Sequence, residues 1–128
     1  MVVLYSEKLL DHFRHPRNYG ALTEPDVSYE SFNPLCGDRI RVELKLEDKN
    51  VKEVRFRGDG CAISIAAASL LTEILTGREI YEAVSNEELI DALESDIQPS
   101  RRQCALLSLE AVRAGIKSYN EDPRSSSG

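Results

Sequence analysis

Residues 39–47 alternate apolar and charged side chains without a break. Ile40, Val42, Leu44 and Leu46 fall on one face, with Arg39, Arg41, Glu43, Lys45 and Glu47 on the other. A period of two is strand geometry, because successive side chains leave a pleated backbone on opposite sides. Asp48-Lys49-Asn50 turns the chain, and residues 51–57 form the next strand, with Val54 and Phe56 inward. The pattern predicts antiparallel strands with one wet face. It also constrains everything around it. The loop entering the first strand and the loop leaving the second must lie at the same end of the hairpin, so residues in those loops become neighbours.

Other elements follow from the change of period. Residues 6–13 read as a short helix with Leu9, Leu10 and Phe13 at helical spacing, ended by Pro16 and Gly20. Residues 27–32 alternate as a strand, and residues 33–38 form a turn. Beyond the hairpin, Gly58 and Gly60 allow a tight strand-to-helix turn, and the run over residues 62–76 is largely apolar, with Ile63, Ala66, Ala67, Leu70, Leu71, Ile74 and Leu75. That run predicts a largely buried helix stopped by Gly77. Ser85-Asn86-Glu87-Glu88 fits a capping box and starts another helix carrying Leu89, Ile90 and Leu93. Residues 98–103 are a polar join, and residues 104–119 repeat apolar side chains at three and four. Strands first and helices after predict an α+β fold with an N-terminal helix and helices covering one face of the sheet. A single domain is expected over residues 1–120, with a disordered polar tail over 121–128.

The charge balance narrows the function classes. Sixteen basic residues against 22 acidic ones give a net charge of -6. This argues against general electrostatic affinity for nucleic acid or for an anionic membrane surface. The opening Met1-Val2-Val3-Leu4 leads into Tyr5, Ser6 and Glu7 with no basic segment and no long apolar run, so no signal peptide is expected. No apolar stretch reaches membrane-spanning length. The cytoplasm is the expected compartment, and there the three cysteines are expected to stay out of disulfides.

Each cysteine lies at an element boundary: Cys36 before the main strand, Cys61 after its hairpin partner, Cys104 near the start of the last helix. Hairpin topology puts Cys36 near Cys61. Asp38 follows two residues after Cys36, with Gly37 between to allow a bend. The last helix can bring Cys104 over them. Three sulfurs and one oxygen suit tetrahedral zinc or an iron–sulfur cluster. A carboxylate is the harder and weaker ligand for iron, so such a site has one corner that can let go. The spacing is not that of a zinc finger, since no Cys-x-x-Cys occurs. Two other readings stand beside this one: unrelated buried cysteines, and a nucleophilic thiol with a distant base. The two histidines, His12 and His15, are expected to be solvated or to make one structural hydrogen bond.

Three motifs in order resemble the IscU/NifU-type iron–sulfur cluster assembly scaffolds: Asn33-Pro34-Leu35-Cys36-Gly37-Asp38, Gly58-Asp59-Gly60-Cys61-Ala62-Ile63-Ser64 and Arg101-Arg102-Gln103-Cys104-Ala105-Leu106-Leu107. The opening residues 5–13 and 16–20 are also similar. The resemblance implies a three-stranded sheet with helices packed against it. It implies a protein that takes persulfide sulfur from a cysteine desulfurase, assembles a [2Fe–2S] cluster and passes it to iron–sulfur acceptor proteins. Cys36, Asp38, Cys61 and Cys104 match the family's ligand positions, and zinc is often found in the same site. Cys104 is the expected persulfide acceptor, and Arg101 is a candidate for holding the anionic site or a partner's carboxylate.

Two branches of the family differ around the third cysteine. The IscU branch has a histidine immediately before it and a Leu-Pro-Pro-Val-Lys segment that binds a specialised chaperone. Here Gln103 precedes Cys104 and the segment is Ile97-Gln98-Pro99-Ser100-Arg101, so the resemblance does not extend to that chaperone. Ala62-Ile63-Ser64, and Pro99 and Arg101 ahead of Cys104, are similar to the SufU branch of zinc-holding sulfur carriers. The chain lacks that branch's extra segment between the second and third cysteines. A scaffold is the expected function, and a zinc-dependent sulfurtransferase the alternative.

Overall fold

Asp38–Glu47 (β2) is the centre of a three-stranded antiparallel sheet, paired with Val27–Asn33 (β1) on one side and Asn50–Asp59 (β3) on the other. The computed structural model describes residues 5–82 and 84–121. The register places Leu44 between Val27 and Val54, and Val42 between Tyr29 and Phe56. One face is therefore a continuous apolar layer, as the alternation predicts. The β2–β3 turn has Asp48 at φ 52 and Lys49 at φ 71. Positive φ at both central residues matches the strands' right-handed twist.

The helices cover that apolar layer. Ala62–Leu75 (α2) packs on β3, and Arg102–Glu121 (α4) packs on β1 and β2. Glu7–Arg14 (α1) lies on α2, and Asn86–Ala92 (α3) on α4 and α2. α2 buries most of its residues, including Ala66, Ala67 and Ala68, because it lies between the sheet, α1 and α4. Small side chains let those layers approach closely. At Gly115 of α4 a Cβ would sit 2.8 Å from Val27 Cγ1, so the helix–sheet contact depends on glycine. Ser85 caps α3 as its motif predicts, accepting from the Glu88 amide at 3.0 Å.

Several boundaries differ from the sequence expectation. Asn33 and Asp38 pair with each other as the last and first residues of β1 and β2, so the turn is confined to residues 34–37. α4 begins at Arg102 after a 3-10 turn at Pro99–Arg101, because a proline in the first turn needs no amide partner. The outer face of the sheet is not uniformly wet. Glu43 is 5% exposed there, held by the Leu22 amide at 2.8 Å and by Arg41 and Arg57 at 3.3 Å. The segment around Asn18–Gly20 adds to the free edge of β3: Phe56 N–H donates to the Asn18 carbonyl and Gly20 N–H to the Phe56 carbonyl. That pairing covers an otherwise open sheet edge.

Of the expected polar tail, Glu121 ends α4, and residues 122–128 lie outside the described residues. No helix among the described residues is long and apolar enough to cross a membrane.

Candidate metal centre

The three cysteines and Asp38 meet at the end of the β2–β3 hairpin away from its connecting turn. Residues 34–37 turn tightly: the Gly37 amide donates to the Asn33 carbonyl at 2.8 Å and the Leu35 amide to Asn33 Oδ1 at 3.0 Å. Gly37 takes φ +78, a conformation costly for other residues. The turn exposes Cys36 at its tip and Leu35 beside it, and aims Asp38 inward. Across the hairpin, Arg39 pairs with Asp59, so the chain leaving β3 passes directly by Asp38. Gly60 makes this close passage feasible. A Cβ there would sit 3.0 Å from Ser64 Cβ and 3.3 Å from Asp38 Cγ.

Cys61 then becomes the N-cap of α2, with its thiol making no capping bond. Cys104 arrives from above on the first turn of α4 and is 4% exposed. Its sulfur lies 3.7 Å from that of Cys36. Ligand atoms of Cys36, Asp38 and Cys104 all fall within 4.8 Å of one another. Cys61 stands at the edge of this group. Its amide donates to Asp38 Oδ2 at 3.4 Å and its sulfur is 3.5 Å from Ser64 Oγ.

The electrostatics follow from the crowding. Burial works to raise the Asp38 carboxyl, but hydrogen bonds from the Ser64 hydroxyl, the Cys61 amide and the thiols of Cys36 and Cys61 outweigh it. The net effect holds Asp38 below the usual carboxylate range, so it is an anion near neutral pH. Cys104 moves the other way. Burial, the hydrogen bond with Cys36 and the neighbouring negative sulfurs push its thiol up to about 12. The exposed Arg101 guanidinium is held more firmly in its cationic form by the nearby charges of Cys61 and Cys104. Three sulfurs and an acid in so small a space repel one another as anions. A cation among them removes that repulsion, which is the fit expected of a metal-holding group.

The histidines stand apart from this group. His12 is buried against α2, with Nδ1 2.7 Å from Ser69 Oγ and Nε2 3.5 Å from Glu73. His15 is exposed after α1. The residue that sequence reading passed over is Ser64. It lies in the second cysteine motif, 1% exposed, and donates to Asp38 Oδ2 at 2.5 Å. The sequence shows it as part of the second cysteine motif, a hydroxyl one helical turn past Cys61, with nothing to mark Asp38 as its partner.

The NifU-like N terminal domain family matches residues 4–125. The chain belongs to that family. It is 36% identical to the mitochondrial iron sulfur cluster assembly protein 1 of Debaryomyces hansenii, over 91% of this chain and 68% of that protein. It is 35% identical to the zinc-dependent sulfurtransferase SufU of Bacillus subtilis, over 88% and 89%. With the iron-sulfur cluster assembly scaffold protein IscU of Haemophilus influenzae it shares 33% identity, over 90% and 94%. The N-terminal domain of a NifU-like protein from Brucella abortus has the same fold, with a TM-score of 0.76 at 21% identity over 91% of this chain and 94% of that one. A protein from Fervidobacterium islandicum described as an iron-sulfur cluster assembly scaffold for the SUF system gives a TM-score of 0.75 at 22% identity, over 86% and 94%. Family membership and the α+β fold thus agree with what the three cysteine motifs imply.

Proposed function

We propose that this chain is an iron–sulfur cluster assembly scaffold that builds a 2Fe–2S cluster on Cys36, Asp38, Cys61 and Cys104 and passes it to acceptor proteins. One observation carries this reading: residues 68 positions apart bring their sulfurs to 3.7 Å, beside an ionised carboxylate. Iron and sulfide are cargo here, and the protein's part is to gather and release them. The exposed Cys36 turn is where a partner first reaches the site, and the buried Cys104 forms its floor. Asp38 is the weak corner, because a carboxylate oxygen holds iron less firmly than a thiolate does.

Sulfur enters as persulfide from a cysteine desulfurase. A scaffold thiolate attacks the outer sulfur of the donor's persulfide, a sulfur–sulfur bond forms on the scaffold, and the donor's thiolate leaves. Cys104 is the proposed acceptor. Reduction of that sulfur to sulfide takes electrons from an external donor. Arg101 neutralises the anionic site from its rim.

A second reading is favoured by the length over which the chain matches SufU and by a donor set that equally suits zinc. In it the same residues keep zinc, and the chain carries sulfur away from its desulfurase. Metal and sulfide analysis decides between them, before and after anaerobic incubation with desulfurase, cysteine and ferrous iron. The scaffold reading expects iron and acid-labile sulfide in equal amounts with visible charge-transfer bands. Zinc retained throughout, no labile sulfide and a faster desulfurase would establish the sulfur carrier instead.

A further inference from the structure

We infer that Ser64 is a positioning residue that makes Asp38 a one-oxygen ligand. The inference rests on the metal-holding reading of the site. Besides the neighbouring thiols, the Ser64 hydroxyl at 2.5 Å and the Cys61 amide at 3.4 Å donate to the Asp38 carboxylate. Both end on the same atom, Oδ2. The other oxygen receives neither of them. A carboxylate can bind a metal through one oxygen or through two, and which it does sets the coordination number. With Oδ2 engaged on α2, Oδ1 is the oxygen these two bonds leave for a metal held with Cys36 and Cys104.

Ser64 is well placed to enforce this. It is 1% exposed, so no water competes for its hydrogen. A serine hydroxyl has a single hydrogen to give. Given to Asp38, that hydrogen is not available to the Cys61 sulfur, which lies 3.5 Å from the same oxygen. Ser64 thus restrains the acid and leaves the thiolate's lone pairs for the metal. Gly60 keeps the arrangement tight, since a side chain there would press on both Ser64 and Asp38. Partners of this kind orient the ligand and tune its donation.

Cobalt(II) alone, added to the metal-free full chain, reads coordination number directly. Four-coordinate cobalt absorbs strongly in the visible, five-coordinate cobalt weakly, and thiolate ligation gives a separate near-ultraviolet band. Ser64→Ala removes one buried oxygen from a helix already rich in alanine, so the fold is retained. Freed of its strongest partner, Oδ2 joins Oδ1 on the metal, and the visible absorption is expected to fall by about twofold or more. Because Ser64 acts through Asp38, the substitution is expected to change nothing on an Asp38→Ala background. A Ser64→Ala spectrum equal to wild type overturns the inference. So does a loss that persists undiminished without Asp38. Absence of the thiolate band in the wild-type protein overturns both the inference and the metal-holding reading beneath it.

Discussion

The sulfurs of Cys36 and Cys104 lie 3.7 Å apart, yet Cys36 is exposed on the turn between β1 and β2 and Cys104 is buried in the first turn of α4. All three cysteines are free. A disulfide requires about 2.05 Å between sulfurs, so modest movement of the Cys36 turn closes the gap. Mild oxidation of metal-free protein is expected to join Cys36 to Cys104 before any other pair. Zinc added beforehand is expected to block the reaction by occupying the sulfur lone pairs. Non-reducing peptide mapping checks both statements. A map dominated by links through Cys61, or between molecules, would contradict the arrangement at the centre.

The same two residues should also differ in reactivity. The thiolate is the nucleophile, and burial pushes the Cys104 thiol up to about 12. In metal-free protein near neutral pH, iodoacetamide is expected to modify Cys36 first and Cys104 last, with rates differing by about tenfold or more. A coordinated thiol is deprotonated outright. Persulfide on Cys104 is therefore expected to require bound metal. Mass spectrometry after incubation with desulfurase and cysteine, with and without zinc, reads the gain of one sulfur. A gain that is unchanged in Cys104→Ser removes Cys104 from the acceptor role.

Much of this was legible in the sequence because it depends on period and topology. Strict alternation over residues 39–47 fixed a hairpin, and a hairpin brings its two outer loops together whatever they contain. What was not legible depends on depth and on distant partners. Glu43 looks like any charge on a wet face. Its burial rests on the Leu22 amide and on two arginines, one of them on the next strand. Ser64 looks like filler in an apolar helix, and its partner is 26 residues away. His12 shows no sign in sequence that α1 lays it against Ser69 of α2. Spacing brings Cys104 to the site but does not tell that the site's floor is closed.

Gly58 offers a test of how the hairpin holds the site. It pairs with Ile40, and a Cβ at this position would lie 2.0 Å from the Arg39 carbonyl oxygen. That neighbour is backbone and cannot swing aside. Gly58→Ala is expected to destabilise the fold by about 3 kcal/mol or more, since strands β2 and β3 must separate locally. The separation falls two residues from Asp38, with only the Arg39–Asp59 pair between, and two residues before Gly60. Metal affinity is expected to drop with stability, whereas Gly77→Ala, with nothing within 4 Å of its Cβ and far from the site, is expected to leave affinity alone. Urea unfolding of the metal-free variants, with zinc titration of the folded fraction, separates the two effects.

His12 should give the fold a pH dependence that is independent of the metal centre. Burial, then the Arg17 charge, lowers its pKa from 6.5, against the weaker opposing pull of Glu73 and Asp11. The folded state therefore binds fewer protons than the unfolded state around that value. Stability is at its full level above pH 6.5 and falls as pH drops toward the folded value. Asp38 and Glu43 work in a lower window: both are depressed in the fold, so their contribution is lost only as pH falls below their ordinary values of 3.8 and 4.5. Urea midpoints at about pH 7.5 and about pH 5.5 thus isolate the histidine. The wild-type midpoint is expected to be lower at the acid point. His12→Gln is expected to lose about 1 kcal/mol at the higher pH, through the Ser69 hydrogen bond, and to flatten the difference between the two. Equal pH dependence in wild type and variant would place the acid sensitivity elsewhere in the molecule.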